Sequence, residues 1–123
     1  MALSEYELRL KPLLSVEWIL AKNDAQLKQF LEKEPSYVCL DPLGKQYTSE
    51  EFSGALLRML QEGGSRMQWV IGGAEGLPAD IRSRATALIS LSRLTFTHQI
   101  TRLILLEQIY RAFEIDKGTG YHK

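Results

Sequence analysis

Three short apolar runs constrain the fold more than any other feature of the chain: residues 37–40 (YVCL), 67–71 (MQWVI) and 86–91 (TALISL). Each is too short for a helix and carries its apolar residues almost continuously. That pattern belongs to strands buried on both faces, and such strands pair in parallel sheets. The segments between them read as helices. Thr48 and Glu51 have the T-x-x-E form of a capping box, and Phe52, Leu56, Met59 and Leu60 follow at helical spacing before Gly63 and Gly64 stop the helix. Pro78 suits the first position of a second helix reaching about Ala85. Strands alternating with helices imply an α/β chain, a parallel sheet with helices on both faces in an α/β/α sandwich.

The flanking segments add to this pattern. Ser4 caps a helix over residues 5–10, broken at Pro12, and residues 14–21 (LSVEWILA) read as a further strand. Asp24 is the expected N-cap of a helix that carries Leu27, Phe30 and Leu31 on one face and ends near Pro35. Asp41, Pro42, Leu43 and Gly44 form a turn. The longest helix spans residues 99–115. Its apolar residues (Ile100, residues 103–106, Ile109, Tyr110 and Phe113) cover more than half its circumference. One side is expected on the core and the other, including Leu106, on a second subunit.

The totals limit what such a chain can be. At 123 residues it is expected to form one domain, 1–123, with an ordinary composition of 45% apolar and 24% charged residues. There is no apolar run of membrane-spanning length and no signal peptide, so a cytoplasmic protein is expected. Cys39 is the only cysteine and reads as a buried thiol. With two histidines beside it, no zinc-type ligand spacing exists, and no metal is expected. Formal net charge is zero, which argues against bulk electrostatic coating of nucleic acid. The charge is nevertheless uneven. Residues 1–75 hold 8 basic and 11 acidic side chains, whereas residues 76–123 hold 7 basic and 4 acidic. Any RNA contact belongs to the second part.

Parallel sheets bind ligands at the carboxyl ends of their strands. Three such ends carry suggestive residues: Leu40 with Asp41, Ile71 with Gly72 and Gly73, and Leu91 with Ser92. The run GGAEG allows close backbone approach to a ligand, or serves as a plain strand-to-helix turn. It is neither G-x-G-x-x-G nor a phosphate loop. Asp41, Ser92 and His98 could suggest a hydrolase triad, but no G-x-S-x-G elbow is present. Arg93, Arg102 and Arg111 fit either phosphate binding or a solvated surface. These residues alone stop at a small α/β protein with a small-molecule site and a dimer helix.

Longer motifs are more specific. IGGAEGL, LSRLTFTHQITRLILLEQIYRAFEI and GTGYHK, in this order and spacing, closely resemble the ribosomal RNA large-subunit methyltransferase H family, small enzymes of the SPOUT class. The resemblance runs without a gap over about residues 37–123, and more loosely through EYELRL. It implies a C-terminal trefoil knot, an exception to the usual unknotted topology. It also implies a homodimer and S-adenosylmethionine-dependent methylation of N3 of a pseudouridine in large-subunit ribosomal RNA, on the ribosome. Carried over by position, the cofactor-binding residues are Leu40, Gly72, Leu91, Ser92, Arg93, Leu94, Thr95 and Phe96. His98, Tyr121 and His122 are the catalytic candidates, and Arg111 and Lys123 the RNA-binding candidates.

The chain departs from that family in two places. Thr97 stands where the family usually has proline. The family's usual first strand and its following turn are absent before EYELRL, which would expose a sheet edge. Two further readings therefore stand beside the enzyme: a truncated or catalytically reduced SPOUT-fold dimer that binds cofactor or RNA without turnover, and a methyltransferase of the same class with another RNA target.

Overall fold

A computed structural model describes residues 2–63, 66–72 and 76–121. Its elements, in order, are α1 (Ala2–Leu10), α2 (Asp24–Glu32), β1 (Val38–Gln46), α3 (Ser49–Glu62), β2 (Trp69–Ile71), α4 (Ala79–Arg84), β3 (Ala87–Ser90) and α5 (His98–Lys117). They fall into two compact units. One comprises Met1–Glu17, Tyr47–Arg66 and Gln99–Lys123; the other comprises Trp18–Gln46 and Met67–His98.

The second unit holds the sheet. Its order is β2-β1-β3, and both pairings are parallel, as the apolar runs predict. Cys39 lies level with Val70 and Leu88, so alternation along the strands turns these three residues to one face. That face packs with Leu31 of α2, Tyr37 and Ile81 of α4 in one cluster, to which Leu27 and Leu77 add partly buried contacts. The Tyr37 hydroxyl enters this apolar cluster without penalty because it donates to the Ile81 carbonyl at 2.6 Å. Burial pushes the Cys39 thiol up to about 11, in keeping with an inert core residue.

The first unit joins α3 and α5. Leu10, Phe52, Ala55, Leu56, Leu105, Leu106, Ile109 and Ala112 are all buried there. Each fully buried leucine of this kind contributes about 2 kcal/mol. Two serines tie the helices: Ser53 Oγ donates to the Ala112 carbonyl at 2.8 Å and Ser49 Oγ to Gln108 Oε1 at 3.0 Å. The capping box of α3 forms as expected. Thr48 Oγ1 accepts from the Glu51 amide, and Glu51 Oε1 accepts from the Thr48 amide.

Several expectations are corrected. Residues 14–21 form no strand: the backbone there is irregular, and Ile19 and Leu20 are 63% and 76% exposed. Their apolar pattern suits a strand, but a strand also needs a neighbouring edge to bond. Asn23, not Asp24, caps α2, with its side chain accepting from the Gln26 amide; Asp24 is already helical. Pro78 is the N-cap of α4 rather than its first helical residue. The 41–44 turn is an excursion inside a longer strand: both Leu40 and Lys45 pair with Ile89, so four residues leave β1 and return to the same partner. Gly44 permits that return. A Cβ there would lie 2.6 Å from the Leu88 carbonyl carbon and 2.8 Å from the Ile89 nitrogen, both backbone atoms. Leu106 is only 2% exposed within the chain itself, so it is a core residue and not part of an outward face.

Candidate active site

The parallel register assembles the site. Leu40 pairs with Ile71 on one side and Ile89 on the other, so the carboxyl ends of the three strands reach one edge together. Gly72 directly follows Ile71 at the β2 end of that row, and Leu91 and Ser92 continue from Ser90 of β3. Of the eight residues expected to hold a cofactor, all lie at or just past this edge. Residues 91–97 adopt neither helix nor strand, so their backbone is not committed to a ladder. Ser92 Oγ shapes the loop by accepting from the Leu94 amide at 3.0 Å. Arg93 and Thr95 are exposed, and Leu94 and Phe96 turn apolar side chains outward, at 71% and 36% exposure.

Gly72 has a neighbour that explains it. A Cβ at this position would fall 2.8 Å from Leu77 Cγ, so the chain beyond the turn closes over the glycine. On its other side the Gly72 carbonyl meets His98 Nε2 at 2.8 Å. A carbonyl oxygen only accepts, so Nε2 carries the proton in this bond. In the neutral ring the Nδ1 nitrogen is then left with the lone pair. His98, the first residue of α5, is thereby fixed beside the strand ends rather than within a triad. Asp41 is committed elsewhere as well: Oδ2 pairs with Arg82 Nε at 2.7 Å and Oδ1 accepts from the Leu43 amide at 2.8 Å. This pair, between the end of the first strand segment and α4, escaped the sequence reading. Arg82 carries no signal beyond its place on a helix crossing between strands.

The tail candidates occupy a different setting, in the unit that contains most of α5. Tyr121 donates its hydroxyl to Glu107 Oε2 at 2.9 Å and lies 3.2 Å from the Tyr6 hydroxyl. Its ring stands edge-on to Tyr110 at 5.1 Å, and the Arg111 guanidinium lies 5.0 Å from its centroid. Burial, first, and then the bonds with Tyr6 and Glu107 push the Tyr121 phenol well above its usual range. Arg111 forms a two-point ion pair with Glu107, through Nε at 3.2 Å and Nη2 at 2.7 Å. The hydrogen bond to Glu107 raises its pKa further. His122 and Lys123 lie outside the described residues, as do Gly73, Ala74 and Glu75. Tyr6, Glu107 and Tyr110 were not anticipated. Tyr6 and Tyr121 stand 115 positions apart, and no local pattern connects them.

Among the described residues, no helix is long and apolar enough to cross a membrane, and no group of three His, Cys, Asp or Glu side chains could hold a metal ion.

A parallel α/β sheet whose strand ends gather in this way defines a class, and comparison with known proteins identifies it. The family described as "Predicted SPOUT methyltransferase" matches residues 2–122, and the chain belongs to that family of methyltransferases. Within it, the chain is similar to the ribosomal RNA large subunit methyltransferase H of Protochlamydia amoebophila. The two are 53% identical over 122 residues, covering 99% of this chain and 86% of that protein. The protein of the same name from Syntrophomonas wolfei is 43% identical over 88% of this chain and 68% of its own length. That from Symbiobacterium thermophilum is 37% identical over 97% of this chain and 87% of its own.

Proposed function

We propose that this chain is an S-adenosylmethionine-dependent methyltransferase that modifies N3 of a pseudouridine in large-subunit ribosomal RNA, acting on the ribosome in the cytoplasm. In this reading residues 1–123 form one SPOUT domain, an α/β/α sandwich with a C-terminal trefoil knot, and two copies make a homodimer. One observation carries the reading: Leu40, Ile71 and Ile89 lie level in the sheet, directly before or within a few residues of the expected cofactor residues, in a chain 53% identical to a protein named ribosomal RNA large subunit methyltransferase H.

The residues present fit the cofactor. Adenine needs a flat apolar slot with backbone hydrogen bonds; the irregular backbone of residues 91–97 would supply the bonds, and the outward side chains of Leu94 and Phe96 would supply apolar cover. When bound, S-adenosylmethionine supplies an electrophilic methyl group on a sulfonium, which needs no metal. Gly72 and residues 91–96 bind and orient, and Leu40 closes the third side. The acceptor N3 must lose a proton as its new bond to carbon forms. His98, with its proton held on Nε2 by the Gly72 carbonyl, keeps Nδ1 free to take one. Tyr121, neutral and anchored through Glu107, is suited to hydrogen-bond an RNA base rather than to act as the base itself. In this reading Lys123 and Arg111 contact RNA phosphates, Arg111 while its guanidinium is also paired with Glu107.

The test is methylation of ribosomes isolated from a strain lacking the modification, with tritiated S-adenosylmethionine and mapping of the labelled nucleotide. Label at N3 of a large-subunit pseudouridine is the expected result. Label on another nucleotide would replace the substrate while keeping the enzyme. Calorimetric binding of the cofactor with no label transferred would favour the reduced, non-catalytic dimer.

A further inference from the structure

The clamp around Tyr121 carries an inference that rests on the proposed role of the tail in methyl transfer. Glu107 Oε2 receives the Tyr121 hydroxyl proton at 2.9 Å, and the same carboxylate is held by Arg111 at two points and by Gln108 Nε2 at 3.0 Å. A phenol has one proton, and Tyr121 has given it to the carboxylate. The 3.2 Å contact between the two tyrosine hydroxyls must then run the other way, with Tyr6 donating and Tyr121 accepting. The direction Tyr6 to Tyr121 to Glu107 follows from this count alone. Tyr6 is itself held in place: the Arg9 guanidinium lies 5.1 Å from its ring centroid, and Tyr110 stands 6.1 Å away at a tilt.

We propose that Tyr6, on α1, is a positioning residue for catalysis: together with Glu107 it clamps the Tyr121 hydroxyl and so fixes how that hydroxyl and its ring are presented to the RNA. Residues past the end of a helix ordinarily fray unless something ties them down. Here α5 ends at Lys117, and Tyr121 beyond it is fixed by two hydroxyl bonds, an edge-on ring and a guanidinium. Those contacts hold Tyr121 in one place, and a one-ångström error in the placement of a group that touches substrate costs large factors in rate. The effect of Tyr6 passes through Tyr121.

Tyr6→Phe removes one donated hydrogen bond and keeps the ring against Tyr110 and Arg9. In the full chain, kcat for ribosome methylation should fall about tenfold. KM for ribosomes and the dissociation constant for S-adenosylmethionine should stay within about twofold, and the thermal midpoint should barely move. Backbone relaxation at the Tyr121 amide should show added fast motion. In a Tyr121→Phe background, adding Tyr6→Phe should cost nothing more, because the shared bond is already gone. Three outcomes would overturn the proposal: an unchanged Tyr121 amide, an unchanged kcat alongside a loosened amide, or independent, additive losses in the double variant. Wild-type protein that fails to methylate ribosomes counts against the proposed function instead, and the relaxation measurement then judges the clamp by itself.

Discussion

The strand-end edge and the tail cluster are built on opposite plans. At the edge, position is set by backbone: a parallel register, a glycine under Leu77, and a loop shaped by one serine hydroxyl. In the tail cluster, position is set by side chains, with Glu107, Arg111, Tyr6 and Tyr110 all converging on Tyr121. A backbone-built site tolerates side-chain changes and fails when the chain itself is obstructed. A side-chain-built site fails by single functional groups. The first plan suits a cofactor that never changes, and the second suits a polar tip that must be aimed.

The largest expected effect tests the first plan. Gly44→Ala would drive a methyl group into the Leu88 and Ile89 backbone. It should destabilise the fold by about 3 kcal/mol or more, seen as a lowered urea midpoint. Gly72→Val comes next. The protein should stay folded, because the near neighbour is a movable leucine end, but calorimetry should show cofactor affinity reduced about a hundredfold, roughly 2.7 kcal/mol. Deleting residues 120–123 should do the reverse, leaving cofactor binding and dimerisation intact and abolishing turnover. If the deletion variant methylates ribosomes at the wild-type rate, the division between the two plans collapses.

Smaller effects sharpen the contrast. Thr48→Ala removes one half of the α3 capping box, which belongs to neither plan, and should cost about 1 kcal/mol in thermal unfolding with cofactor affinity unchanged. The pH dependence of the tail follows from Tyr121. Its folded-state pKa is raised above the ordinary tyrosine value of 10.0, so the folded protein holds the proton more tightly than the unfolded chain. The stabilisation is therefore complete below about pH 10 and is lost as pH rises beyond it. Ultraviolet titration should show Tyr121 ionising above the ordinary tyrosine value, and Glu107→Gln should bring it down.

Much of the edge was legible in the sequence because it depends on local patterns. Continuous apolar runs mark buried parallel strands, and T-x-x-E marks the start of α3. Where strand signals mark chain direction, the carboxyl ends follow. The errors arose where pattern and partner separate. LSVEWILA has a strand's composition but no strand beside it, and Asp24 was outcompeted as a cap by the adjacent Asn23. Leu106 sits on a helix whose apolar girth says nothing about which side meets the core. The tail cluster was legible only as a resemblance in GTGYHK. Its supports, Tyr6 and Glu107, come from distant parts of the chain and are joined by hydroxyl geometry that has no periodicity to read.

The excursion in β1 has a consequence for how this protein tolerates change. Because Leu40 and Lys45 meet the same residue of β3, the sheet closes the base of the loop, and the four residues between can vary in number without shifting either strand. Leu43 at its tip is 85% exposed. An insertion between Pro42 and Leu43 would therefore lengthen the rim beside the strand-end edge and leave Gly44 to reseat the strand, giving this small chain a place to graft new recognition without rebuilding its core.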